Sequence, residues 1–361
     1  MDLNLRSVAW KDATLDGRFI WRFDYFVENY HYYSLKTRVI VAIQMTQMFY
    51  YPLLAIVGIP VNILTIVILS RGKCGLSKCV TRYLLAMSAA DLLVIILDLV
   101  LRQIPIRYAE YFQFVYLIRV CNIHSVLLYT TTDCSVWFTV TFTFDRFVAI
   151  CCQKLKTKYC TERTAAVVLG TVTVLSFLKD ITWYFMLSDT YGFANSPWPC
   201  GGRNNVMFSK IWGSIESLHY LLNPCVPFVV ILLLNALTIR YILVASRARR
   251  RLRGPSSAET PRDPEMESRR KSIILLLVVS ANFILLWSML TVYSITRRLY
   301  VLDVQSTPLL DTWVVELGFM LQLLSCCTNT AIYAVTQTKF REQFKNMLKY
   351  PFTLIVKFIK R

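Results

Sequence analysis

No internal repeat runs through the 361 residues, so the best sequence pointer to an inverted-repeat transporter is missing. No paired-histidine metal motif stands out in a chain with three histidines, nor any serine/lysine pair at one depth, which argues against an intramembrane enzyme. Residues 1–41 are rich in aromatics (Trp10, Phe19, Trp21, Phe23, Tyr25, Phe26) but lack the continuous apolar core of a cleavable signal peptide. They also lack an Asn-x-Ser/Thr sequon, and Asn195-Ser196-Pro197 does not fit that pattern, so N-glycosylation is not expected. Outside the apolar blocks no stretch is long enough to fold into a basic face. The net charge of +18 therefore does not point to nucleic acid as a partner.

Apolar length is what the chain has in abundance. Hydrophobic residues make up 55% and the mean hydropathy is +0.47, against an apolar share of roughly 45–50% in soluble domains. Crossing the hydrocarbon core takes roughly 20 mostly apolar residues in a helix. Seven such blocks lie near 42–70, 80–101, 118–152, 163–187, 212–245, 269–296 and 312–336, so an all-α, seven-transmembrane helix bundle in a lipid bilayer is expected. Lys179 and Asp180 interrupt the fourth block and Glu316 the seventh. The first span is expected to serve as its own insertion signal.

Charge placement predicts the orientation. With the N-terminus outside, 26 of the 40 Lys and Arg residues fall on inner segments near helix ends, as the positive-inside rule requires. In that topology only Cys121 and Cys200, of eleven cysteines, face the oxidising side, which predicts one disulfide and free thiols elsewhere. Cys74 and Cys79 read as ordinary thiols, because no nearby histidine completes a zinc set. The chain divides into an extracellular segment 1–41, a membrane domain 42–336 and a cytoplasmic tail 337–361. Loop three, about 246–270, carries the Pro- and Ser-rich run GPSSAETPRDPEMES. Lys339 to Lys349 reads as a basic amphipathic helix with Phe340, Phe344, Met347 and Leu348 on one side, suited to an anionic inner leaflet. No cysteine follows Cys327, so no palmitoyl anchor is expected on the tail.

Polar groups inside a bilayer are expensive and call for a reason. Asn62 sits in GIPVNILT of the first span. Asp91 lies nine residues beyond Arg82, roughly 13 Å along a helix axis and so near mid-membrane. Cys121 and Arg146 are 25 residues apart, roughly 37 Å, enough to reach both surfaces. The seventh block ends in Asn329-Thr-Ala-Ile-Tyr333.

These residues, with Asp145-Arg146-Phe147, Cys200, Pro227 and the Phe283/Trp287 pair, resemble in order and position the motifs of the rhodopsin-like (class A) G-protein-coupled receptors. The resemblance covers roughly 45–349. Phrases such as NILTIVILSR are most similar to the orphan, peptide-receptor-like branch around G-protein coupled receptor 139. The departures are Phe147 for the usual Tyr, Thr330 and Met289 for the prolines of helices seven and six, Asn235 for a helix-five Tyr, and no Trp midway along helix four.

The resemblance implies a plasma-membrane receptor that catalyses nothing and binds an extracellular peptide or small zwitterionic or aromatic molecule. Its partner would be a heterotrimeric G protein, with arrestin and receptor kinases as further partners. Asp145 would hold Arg146 at rest, with Phe147, Asn329 and Tyr333 completing the switch; the plain alternative is an arginine snorkelling to the interface. Asp91, Ser135, Ser325, Asn329 and Asn62 would form a polar network holding either a sodium ion or bridging water. Phe283, Trp287 and Pro227 would couple ligand contact to rotation of helix six, the alternative being ordinary packing. Leu128 stands where amine receptors carry Asp, which argues against a monoamine. Ligand-pocket candidates are Arg102, His124, Tyr129, Glu216, His219, Tyr220, Arg297 and Glu316, each of which also fits a solvated charge or an aromatic belt. Ser256, Ser257, Thr260, Ser268 and Ser272 are candidate kinase sites. The competing class is an ion-coupled transporter using Asp91 and Glu316.

Overall fold

The computed structural model describes residues 28–108, 111–191, 200–202, 210–252, 264–302 and 312–359. The expectations on residues 1–27, Asn195, and Ser256, Ser257 and Thr260 of loop three lie outside the described residues, as do the side chains of Ser268 and Arg297.

Among the described residues, seven helices are long and apolar enough to cross a membrane: Thr37–Ser70, Lys78–Arg107, Cys121–Cys151, Glu162–Met186, Gly213–Ala248, Arg270–Thr296 and Trp313–Thr336. They are called spans one to seven. Hydroxyls start several of them, because the first backbone N–H groups of a helix have no partner within it. Ser34 accepts from the Thr37 amide (3.3 Å), Ser77 from that of Val80 (3.4 Å) and Thr161 from that of Thr164 (3.1 Å). The Ser34 cap places the helix start at Leu35, seven residues before the boundary the hydropathy suggested. Gly75, with φ of 68°, turns the chain into span two. A Cβ there would lie 2.8 Å from Lys339 Cδ of the tail helix Thr338–Ile359.

Span three is the axis of the bundle and packs on spans two, four, five and six, while span seven packs on six, one and two. Towards the tail-helix end, Ile68, Tyr83, Phe142, Tyr333 and Phe340 form one apolar core. Val136, Val140, Ile231, Phe283 and Trp287 form another between spans three, five and six. Val174, Leu175, Leu178, Val229, Leu233 and Leu285 stay exposed on the outer faces, as expected of surfaces that meet lipid. One departure from the all-α expectation is a small hairpin, β1 (Leu187–Tyr191) paired antiparallel with β2 (Cys200–Gly202). The Cys121–Cys200 disulfide pins β2 to the start of span three, with a Cα–Cα distance of 5.8 Å.

Helix irregularities do not fall where the motif prolines suggested. Spans six and seven run unbroken through Met289 and Thr330, within the helices Pro264–Leu302 and Thr312–Thr336. The break in span five lies at Asn223-Pro224, in the π-helical turn Leu221–Cys225, and Pro227 is the second residue of the helix that follows. A proline at that position costs little, since its missing N–H lies in the first turn. The motif residue Pro227 thus lies just beyond the irregularity, which falls at Asn223-Pro224. Span two widens into π-helix at Ile95–Gln103.

Small residues let spans approach closely. A Cβ on Gly58 would lie 2.5 Å from Cys327 Sγ and 3.0 Å from Ile95. Gly58→Val is expected to destabilise the protein by about 1–3 kcal/mol through overpacking of spans one, two and seven. A lowered thermal midpoint of the purified protein, compared with Gly170→Val, which meets no neighbour within 4 Å, checks this.

Candidate ligand cavity and switch

A cavity of about 210 Å³ opens between spans two, three, five, six and seven, lined by residues that include Asp98, Arg102, Leu128, Tyr129, His219, Tyr220, Asn223, Trp287, Glu316 and Phe319. Five of the eight pocket candidates thus meet in one place: Arg102, Tyr129, His219, Tyr220 and Glu316. His124 does not line it. Its ring nitrogens face the Leu97 carbonyl (2.8 Å) and the Tyr191 hydroxyl (3.2 Å), so the side chain supports the hairpin. Glu216 is half-buried and does not line the cavity: it shares the helix face of His219 and Tyr220 but sits one turn earlier along the helix.

Both walls are charged, and both charges are paired. Arg102 is 1% exposed, donates from Nε to Asp98 (2.6 Å) one turn earlier and sits 4.8 Å from the Phe319 ring centre. The sequence reading passed over Asp98, although the i, i+4 spacing of Asp98 and Arg102 was a legible signal. Glu316 accepts from Gln47 (2.8 Å) and Arg107 (2.8 Å). Glu316 and Asp91 belong to separate networks, which removes the motive for a transporter that couples ions through the pair.

Below the cavity, Asp91 is 1% exposed and accepts from Ser135 Oγ (2.6 Å) and Asn329 Nδ2 (2.7 Å). Ser325 lies buried one turn before Asn329. Asn62 departs from the expected network. Its amide donates to the Gly58 (2.9 Å) and Cys326 (3.0 Å) carbonyls, tying span one to span seven rather than reaching Asp91. Thr330, in the place of the usual proline, bonds Thr65 across the same interface (2.7 Å).

At the far end Asp145 and Arg146 form a buried ion pair. Arg146 Nη1 also donates to Ser272 Oγ of span six (3.3 Å), and Cys79 Sγ donates to Asp145 (3.2 Å). Ser272 therefore sits in a helix against Arg146 and not in loop three, where its candidacy as a kinase site had placed it. Between spans three and four, burial and the nearby Asp145 charge push the Cys160 thiol up to about 12, so it stays protonated. Phe147 is half-buried, its ring 6.5 Å from Phe144, and Tyr333 is fully buried, its ring 6.0 Å from Phe340. Phe283 and Trp287 stack at 5.4 Å, and Trp287 reaches the cavity wall.

Residues 61–333 match the family model of the 7 transmembrane receptor (rhodopsin family). The chain belongs to the rhodopsin family of seven-transmembrane receptors. The FMRFamide receptor of Drosophila melanogaster is 23% identical to this receptor over 305 residues, 81% of the chain and 52% of that protein. The receptor thus spans about half the length of this curated relative.

The sequence reading also missed a group behind the cavity wall, where spans three, four and five bring Asp133, Lys179, Asp180 and His219 together. Three charges in apolar blocks were the available signal.

Asp98→Asn leaves the Arg102 guanidinium buried without its carboxylate and is expected to cost roughly 3–5 kcal/mol, whereas Asp98→Asn combined with Arg102→Met restores much of the loss. Thermal midpoints and surface expression of the single and double variants measure it.

Proposed function

We propose that this chain is a plasma-membrane receptor, N-terminus outside and C-terminus inside, that converts binding of an extracellular ligand into activation of a heterotrimeric G protein, with no catalytic step of its own. One observation carries the reading. Span six bears Trp287 in the cavity wall and Ser272 against Arg146, 15 residues or roughly 22 Å apart on one unbroken helix. A ligand that moves Trp287 moves a stiff lever. Its other end releases the Ser272 contact and leaves Arg146 free to turn from Asp145 towards the G protein. With no proline in span six, that motion is a rigid-body tilt rather than a bend.

The cavity suits a peptide terminus or a small zwitterionic or aromatic molecule. Asp98 and Glu316 bring negative and Arg102 positive charge to its wall, and Tyr129, Tyr220, Trp287 and Phe319 offer ring faces. At about 210 Å³ it holds one or two side chains rather than a whole peptide. The relative's name makes FMRFamide the first peptide to apply. Receptor kinases and arrestin belong to the same proposal, with Ser256, Ser257, Thr260 and Ser268 as candidate hydroxyls.

A sodium ion fits the Asp91 site. Among the described residues Asp91 takes part in no ion pair, and the oxygens there, its own carboxylate and the Ser135 hydroxyl, are the hard donors such an ion takes. When bound, the ion would supply the countercharge that this buried carboxylate lacks. Asp91→Asn is then expected to abolish the sodium dependence of agonist affinity, a coupling of about fivefold or more in the unaltered receptor. Radioligand binding in sodium and in an organic cation reads it.

The central test is a G-protein activation panel in cells, comparing the chain with Arg146→Ala while peptides are applied. Expected is a response that Arg146→Ala lowers at equal surface expression. Equal signalling by both across all G proteins would sink the mechanism.

A further inference from the structure

We propose that Asp133, Asp180 and His219 form a divalent transition-metal site in the wall of the cavity, which Lys179 occupies as a displaceable internal cation.

The geometry starts from the ammonium. Lys179 Nζ lies 2.7 Å from Asp133, 2.5 Å from Asp180 and 2.9 Å from His219 Nδ1. An ammonium has N–H donors and no acceptor, so His219 Nδ1 presents its lone pair, while Asp133 Oδ2 is held by charge and receives no hydrogen bond. The three protein atoms that surround the cation are two carboxylate oxygens and one imidazole nitrogen, all within 4.8 Å of one another. That is the three-ligand set, with a fourth position left for water, of an open zinc site.

Charge shows why the lysine is an incomplete occupant. With His219 neutral, two carboxylates and one ammonium leave a net charge of −1 among side chains of which Asp133 is 1% and Asp180 0% exposed. Uncompensated charge at such a depth is costly. A divalent ion in place of Lys179 brings the group to neutrality. Two further oxygens point to a missing partner. Asp180 Oδ2 and Asn223 Oδ1 are buried and have no hydrogen-bond partner, while Asn223 Nδ2 already donates to Asp133 (2.5 Å).

A route in and a route out both exist. His219 and Asn223 line the cavity, so an ion that enters it meets the site from that side. The Lys179 side chain is 22% exposed, so its head has solvent or interface to return to. Tetrahedral zinc ligands lie about 3.4 Å apart, so the donors must close by about 1 Å as the ammonium leaves. Tyr129 and Trp183 pack on the His219 ring at 5.1 and 5.5 Å and hold its orientation. Closure would draw the extracellular half of span five, which carries His219 and Asn223, towards spans three and four. An ion would therefore act on cavity shape.

The test uses full-length receptor purified into nanodiscs, with Zn²⁺ alone as the probe. Zinc should raise the thermal midpoint of the wild-type protein and load one ion per chain. In His219→Phe, which keeps an aromatic ring, the affinity should fall roughly 10- to 100-fold. In Lys179→Gln, where the competing ammonium is gone, it should rise by about tenfold or more. A surface histidine site would ignore both substitutions. Wild-type zinc response in His219→Phe, or indifference to zinc in both the wild type and Lys179→Gln, overturns the proposal. Should His219→Phe fail to fold, the wild-type to Lys179→Gln comparison decides alone.

Discussion

A charge carried into a helical bundle that faces lipid can be met only by other groups of the protein, on its own helix or a neighbouring one, since water is scarce and the hydrocarbon offers nothing. Asp145 meets Arg146, Asp98 meets Arg102, Glu316 meets Arg107 and Gln47, and Lys179 meets Asp133, Asp180 and His219. The pairings that join spans, Glu316 with Arg107 and Gln47 and Lys179 with Asp133 and His219, fix a register that apolar contacts leave loose, because side chains of similar volume slide past one another at little cost. Dispersion packs the bundle, and the polar pairs decide which faces meet.

Those pairs stand at three levels along the bundle, and the levels have different consequences. The pairs around the cavity leave ring faces and both signs of charge open to a ligand. The Asp91 group below them has hydrogen bonds and, among the described residues, no ion pair. The Arg146 group at the far end is held on one side by Asp145 and on the other by Ser272, so it rests in one place and has a bond to lose. Span six touches the first and third levels as one continuous helix, and span three runs through all of them.

Departures from the family's prolines acquire a physical meaning in that arrangement. Span six has no internal hinge, and the junction of spans one and seven is closed by Thr65, Thr330 and the Asn62 amide. Backbone irregularity is moved to Ile95–Gln103 of span two and to Asn223-Pro224 of span five, the two places that present Arg102 and His219 to the cavity. The two irregular stretches thus flank the cavity, while span six is continuous.

Much of this was legible from order along the chain. Hydropathy length alone determined seven spans, because a helix must bury its backbone over the full thickness of the membrane. Cys121, Asp145-Arg146, Asp91 and Asn329 could be read as members of one family pattern, since each sits at a position set by depth. Two exposures of sequence to compartment, oxidising and reducing, were enough to single out the Cys121–Cys200 pair. What one-dimensional order does not contain is which way a side chain turns. His124 turns away from the cavity towards Leu97 and Tyr191, Asn62 reaches Cys326 in place of Asp91, and Ser272 faces Arg146. The meeting of Asp133, Lys179, Asp180 and His219 is likewise a product of three helices closing on one another. Depth is additive along a chain and can be counted; azimuth depends on every neighbour at once, and only the tertiary structure decides it.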